Sequence, residues 1–218
     1  MNPWLEIPLA DYEAHMSMAS IAQAQYISRV LAGIVQDVRP SSVAIIGCSG
    51  GNGFDQLPTD IVKRVVGVEI NPHYIEIARE RYMYHFNRLE LICQDFQTSA
   101  CSFKPVDLVF AALIFEYVDY ITGLTSIKKF IKHGGFLSVI LQLPNETISA
   151  VSPSPYSSLS KLNGFLKLVS PENFEACAVS VGLSVVTSKR SMLDSGKVFH
   201  EFLLQKTCSE VYTSVINF

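Results

Sequence analysis

Residues Val43-Ala44-Ile45-Ile46-Gly47-Cys48-Ser49-Gly50-Gly51-Asn52-Gly53 constrain the chain more than any other stretch. Four apolar residues between Ser42 and Gly47 read as a short strand buried on both faces. The glycines that follow allow a sharp turn and let the backbone approach a ligand with no Cβ in the way. In an open α/β sheet such a turn lies at the carboxyl edge of the strands, where these folds bind ligands.

The segments downstream alternate. Val65 to Glu69 is a second buried strand, apolar until its last residue, and Asn71-Pro72 starts a helix running through Tyr82. Leu89 to Cys93 and Val106 to Ala111 are the third and fourth strands. The spacing predicts a helix over Ile121 to Lys132, stopped by Gly134-Gly135, and then a fifth strand over Phe136 to Leu143. Upstream, a helix from about residue 18 carries Ile27, Val30, Leu31 and Ile34 on one face and ends before Pro40. Residues 145–164, rich in Ser, Pro and Asn, form an excursion. Ser170-Pro171 starts another helix, and Leu183 to Ser188 with Val198 to Gln205 form a hairpin turning at Asp194-Ser195-Gly196. Strand alternating with helix argues a mostly parallel sheet with helices on both faces.

Length sets the scale. At 218 residues the chain is long enough for one domain with a full core, divided into N-terminal cap helices (1–39), a ligand-binding half (40–144) and a substrate-side excursion with the closing hairpin (145–206). Hydrophobic residues at 49% against charged ones at 17% exclude a disordered chain, and a net charge of −3 gives nucleic acid no electrostatic footprint. Cys48, Cys93, Cys101, Cys177 and Cys208 make an odd set without metal-like spacing, so no metal is expected and the thiols read as reduced. With no apolar run of membrane-spanning length and no basic leader, a cytoplasmic protein is expected. The sequence sets no oligomeric state; a homodimer is one option.

Acidic residues follow successive strands. Glu69 stands 22 residues past Gly47, where a carboxylate beside the glycine turn accepts both hydroxyl hydrogens of a ribose. Asp95 follows the third strand, suited to an adenine amino group, and Glu116 follows the fourth. For each alone a surface carboxylate is the default reading; together they describe a nucleoside pocket. The glycines match neither the G-x-G-x-x-G dinucleotide fingerprint nor a phosphate loop with its Lys-Ser or Lys-Thr.

On these residues the chain resembles the class I S-adenosylmethionine-dependent methyltransferases, over roughly residues 40–206. Ile46 to Gly53 looks like the family's first motif, LGCGTGxG. Val68-Glu69-Ile70-Asn71 resembles the acidic ribose motif, Cys93-Gln94-Asp95-Phe96 the adenine-side motif, and Val106 to Ala112 through Phe115-Glu116-Tyr117-Val118 the fourth-strand motif. The resemblance implies a Rossmann-like three-layer α/β/α sandwich with a seven-stranded sheet, order 3-2-1-4-5-7-6, closed by an antiparallel hairpin. It implies S-adenosylmethionine as cofactor. Gly47, Cys48, Ser49, Gly50 and Gly51 would wrap the methionine end and Glu69 would hold the ribose. Ile70, Asp95 and Phe96 would face the adenine, with Ala112 and Tyr117 beside the sulfonium or adenine. Two positions depart from the pattern: Ile45 replaces a common acidic residue, and Ser49 the second glycine. Without that acid, backbone carbonyls are expected to hold the ammonium.

No Asn-Pro-Pro-Tyr motif follows the fourth strand, where Ala111-Ala112-Leu113 is apolar. The acceptor is therefore expected to be a small molecule. Tyr12, His15, Met16 and Gln23 lie where the N-terminal helix would cover the carboxyl edge, and are the candidate substrate residues. His15 and Tyr12 are the catalytic candidates, His15 because imidazole titrates near neutrality; the default reading of both is as half-buried packing residues. His85, His133 and His200 carry no assigned role. Two other functions stay open: a methyltransferase-like module that binds nucleoside or a partner without turnover, and an enzyme of this fold using a nicotinamide cofactor.

Overall fold

The computed structural model describes residues 2–98, 100–145, 150 and 152–207. Cys208, one of the five thiols, lies outside the described residues. The strands are β1 (Ser42–Ile46), β2 (Arg64–Glu69), β3 (Leu89–Cys93), β4 (Val106–Ala112), β5 (Ile131–Leu143), β6 (Leu183–Met192) and β7 (Val198–Lys206). They form one sheet of order β3-β2-β1-β4-β5-β7-β6. β1 to β5 pair in parallel, and β7 runs antiparallel between β5 and β6. This is the expected seven-stranded, mostly parallel arrangement with a closing hairpin.

Successive side chains on a strand point to opposite faces, and both faces are buried. Val43 and Ile45 pack with Tyr26, Leu31 and Val35 of α2 (Gln23–Val38) and Ile75 of α3 (Pro72–Tyr82). Ala44 and Ile46 join the opposite core with Leu124 and Ile127 of α4 (Tyr120–Phe130) and Phe174 of α5 (Pro171–Ser180). Asn71 caps α3 by accepting from the His73 amide, and Ser170 caps α5 by accepting from Asn173, each with proline in the first turn.

Two boundaries differ from the sequence expectation. The N-terminal helix is two helices: α1 (Leu9–Ser17) precedes α2, and the break ends at Ala22 in the left-handed region, φ +53°. No glycine or proline marks this break. α4 ends at Phe130, and β5 begins at Ile131, ahead of the glycine pair. Ile131 pairs with Val106 and Phe136 with Leu108, so residues 132–135 form an irregularity inside the strand. Among the described residues no helix is long and apolar enough to cross a membrane, and no group of three or more His, Cys, Asp or Glu side chains is placed to hold a metal ion.

Candidate functional site

The carboxyl ends of β1, β2, β3 and β4 open into one crevice of about 1210 Å³, including its mouth. Gly47 and Ser49 line it after β1, Glu69 and Ile70 after β2, Asp95 and Phe96 after β3, and Ala112 with Tyr117 after β4. The cap over this edge adds Tyr12, His15 and Met16 from α1, and Gln23 from the start of α2. Gly47 takes φ +72°, and an added Cβ would come 3.1 Å from Ile114 Cδ1, so glycine keeps this wall clear.

Three residues of the glycine turn sit elsewhere. The Cys48 side chain is fully buried in the core shared with Phe54. Gly50 is covered by Leu9, Arg81 and Glu13, and its carbonyl accepts from Arg81. Gly51 packs under Tyr82 and borders a second, open cavity. Tyr12, Met16, Gly47 and Ala112 line both cavities and stand between them. Ile45, at the position where the resemblance leads one to expect an acid, is 3% exposed and also borders this second cavity. Ser49, replacing a glycine, holds φ +49°, a conformation that costs an L-residue on the order of 1 kcal/mol.

Glu69 is 6% exposed. Its Oε1 accepts from the Ile70 and Asn71 amides at 2.8 and 2.9 Å, and Oε2 accepts from the Ser49 amide at 3.0 Å. Burial raises its pKa, against the pull of these amides. A carboxylate offers about four lone-pair directions. Backbone amides take three of these here, which leaves one direction on Oε2 open to the crevice. Asp95 Oδ1 accepts from the Gln97 amide at 2.9 Å, fixing its carboxylate beside the crevice.

Trp4, which the sequence left without a role, completes the wall. Its ring meets Tyr12 and Tyr117 edge-on, with centroids 5.3 and 5.1 Å apart. Leu159 and Leu162 of the 145–164 excursion pack on the same aromatic group, together with Ile7. Burial and the charge of Glu69 push the Tyr12 hydroxyl to about 12, so it stays protonated.

The far end of the crevice is polar. His15 is 7% exposed, its Nδ1 has no partner among the described residues, and burial with the nearby charge of Lys197 lowers its pKa. It is a neutral imidazole at neutral pH. Glu116 Oε1 accepts from the Gln142 amide at 2.6 Å, while Oε2 is buried and unpartnered, and burial raises the carboxyl to about 7. Gln142 and Lys197 face the same end, and neither was singled out from the sequence. The only local signal at Lys197 is its place after the Gly196 turn.

Residues 44–139 match the family model described as a methyltransferase domain. No curated protein matches the chain. Among solved structures, the N-methyltransferase NodS from Bradyrhizobium japonicum WM9 in complex with S-adenosyl-L-homocysteine is 13% identical, with a TM-score of 0.68, covering 94% of this chain and 99% of that one. The magnesium protoporphyrin IX methyltransferase ChlM from Synechocystis PCC 6803 is 12% identical, with a TM-score of 0.65, covering 86% of this chain and 84% of that one. The [4+2]-cyclase SpnF is 13% identical, with a TM-score of 0.64, covering 83% of this chain and 80% of that one. At these identities the likeness is one of fold.

Proposed function

We propose, from the match of residues 44–139 to a methyltransferase-domain family model, that the chain is a class I S-adenosylmethionine-dependent methyltransferase and transfers the cofactor's methyl group in line to a small-molecule acceptor. The observation carrying this reading is the continuity of one crevice. It runs from Asp95 and Phe96 past Glu69 to Gly47, and on to Gln23, His15 and Lys197. The residues fit the cofactor. Glu69 Oε2 would take a ribose hydroxyl, Ile70 and Phe96 would face the adenine, and Gly47 with Ser49 would border the methionine chain.

When bound, the cofactor supplies a methyl carbon on a sulfonium, already a good leaving group. The chain's own task is then alignment and exclusion of water. Trp4, Tyr12 and Tyr117 form an apolar wall, and Leu113 with Ile114 adds apolar surface after β4. Neutral His15 suits the catalytic role of accepting a proton from an acceptor that arrives protonated; Tyr12, protonated throughout, suits positioning. The chain is read as one domain whose 40–144 half holds the cofactor. The free thiols Cys48, Cys93, Cys101 and Cys177 favour a reducing, cytoplasmic setting, and the acidic balance favours a small molecule over nucleic acid.

The test is untargeted. Methyl-labelled S-adenosylmethionine is incubated with the protein and a fractionated metabolite extract. A labelled small molecule with stoichiometric S-adenosylhomocysteine is expected. Tight S-adenosylhomocysteine binding with no turnover in any fraction would instead leave a binding module.

A further inference from the structure

We propose that Lys197 selects the acceptor, and that the acceptor carries a carboxylate seated against Lys197 Nζ at the end of the crevice lined by Gln142, Gln23 and His15. This deepens the methyl-transfer reading and rests on it for the word acceptor, though not for the binding site itself.

Lys197 precedes β7 and is 4% exposed. The antiparallel register pairs Val198 with Leu143, which returns Lys197 to the carboxyl end of β5, beside the crevice. Its Nζ donates to the Ala150 carbonyl at 2.6 Å and to Gln142 Oε1 at 3.4 Å, both neutral acceptors. Among the described residues it forms no ion pair with any carboxylate; the one carboxyl lining the same end, Glu116, is engaged through Oε1 with the Gln142 amide. A buried ammonium is costly unless a counter-charge joins it. The protein supplies none by contact, so the charge points to the ligand.

Two further atoms at this end await partners. His15 Nδ1 and Glu116 Oε2 are buried, unpartnered and belong to residues lining the same crevice. Buried polar atoms are rarely left unpaired without a functional reason. The groups facing Lys197 treat a carboxylate favourably. Burial lowers Lys197 to about 8, leaving it mostly cationic at neutral pH, and raises Glu116 to about 7, so that its protonated form donates a hydrogen bond. His15, neutral, adds no charge of its own. An ammonium-bearing ligand would be repelled here, and an uncharged one would leave the lysine as it stands. Leu159, Leu162 and Leu166 line the remainder of this crevice, which suits an arylalkyl or alkyl body.

The test uses the full chain saturated with S-adenosylhomocysteine and three probes of one shape: 3-phenylpropanoate, its primary amide and 3-phenylpropylamine. By calorimetry the carboxylate should bind at least about tenfold tighter than the amide, with the amine weakest. Lys197→Met should abolish the carboxylate preference while S-adenosylhomocysteine affinity stays unchanged, and Lys197→Arg should keep part of it. Equal binding of carboxylate and amide, no carboxylate binding, or a preference that survives in Lys197→Met overturns the proposal. Should Lys197→Met not fold, the wild-type chain answers alone: in ¹⁵N-lysine NMR the carboxylate should raise the Lys197 titration midpoint and the amide should not. Failure of the methyl-transfer reading looks different, as no labelled product in any extract fraction, with or, in the extreme case, without S-adenosylhomocysteine binding. The probe series then runs on the free protein with the same expected ranking.

Discussion

Tyr74 Oη donates a hydrogen bond to the Ile7 carbonyl at 2.8 Å, across 67 residues and inside the protein. Asn71, three residues earlier on the same chain segment, donates through Nδ2 to the Trp4 carbonyl at 2.8 Å. The segment ahead of α1 is thus fastened to the start of α3, directly over the end of β2 that carries Glu69. The segment capping the crevice is held by the element that follows Glu69.

Removing one fastening should loosen the N-terminal cap without touching the sheet. Tyr74→Phe leaves the Ile7 carbonyl buried and unpaired, a cost of about 1–3 kcal/mol. Amide exchange across α1 should accelerate, while β1 and β4 keep their protection. Identical exchange of α1 in the variant would show that the cap is held by its apolar contacts alone.

Glycines at two places should respond in opposite directions. At Gly51, φ is +95° and a Cβ would stand 2.4 Å from Tyr82 Cε2, so Gly51→Ala must strain the backbone and displace the ring. Gly33, exposed within α2, has nothing within 4 Å of an added Cβ. Gly33→Ala should stabilise by up to about 1 kcal/mol, the helix-propensity difference. Urea unfolding of both variants decides it, and a loss of stability at Gly33 would contradict the packing described for α2.

Glu69 offers the direct test of the cofactor end. Glu69→Ala removes the acceptor left at Oε2 and also frees the Ser49, Ile70 and Asn71 amides. S-adenosylhomocysteine affinity should fall at least about tenfold, near 1.4 kcal/mol, with some loss of stability. Calorimetry that finds affinity unchanged takes Glu69 out of the site.

Much of this architecture could be read from local pattern. The apolar runs at Val43 and Val65, the glycine turn and the capped starts at Asn71-Pro72 and Ser170-Pro171 each specify their element without help from distant residues. The helix break before Gln23 was not legible, since Ala22 adopts its left-handed conformation in the absence of any glycine or proline. Nor were Lys197 and Trp4. Each gains its role from contacts made across the fold: Lys197 through the β5–β7 register, Trp4 through Tyr117 over a hundred residues away. The glycine turn shows the same dependence. Leu9 and Arg81 pack onto Gly50 and Tyr82 onto Gly51, contacts from distant segments that the local glycine pattern does not reveal.

Asp107 belongs to the opposite edge of the sheet. Its Oδ2 accepts from the Ser41 hydroxyl at 2.7 Å and from the Ser42 amide at 2.8 Å, and Lys132 Nζ lies 2.7 Å from Oδ1. Burial acts to raise its pKa, but Lys132 and the serine hydroxyls outweigh it and hold the carboxyl at about 2, below the ordinary 3.8. A depressed folded-state pKa gives stability that is present above the unfolded value and lost as pH falls toward the folded one. Stability should decline between about pH 4 and pH 2, and Asp107→Asn should be less stable near neutrality and lose part of that slope. Parallel slopes in the two proteins would assign acid sensitivity to other carboxylates.

Glu116 should act with the opposite sign. Burial raises its carboxyl from the usual 4.5 to about 7, against the pull of the Gln142 amide. Between those two values the folded protein keeps a proton that the unfolded chain has released, so stability falls as pH rises through this window. Below it both states are protonated and the penalty vanishes. Glu116→Gln imitates the protonated form: its side-chain carbonyl still accepts from the Gln142 amide, and its NH₂ takes the place of the carboxyl O–H. The variant should match wild-type stability near pH 4.5 and exceed it at pH 8, measured by urea unfolding across the range. If the difference between the two proteins does not grow with pH, Glu116 is already ionised in the fold, and a cation or water must be meeting Oε2.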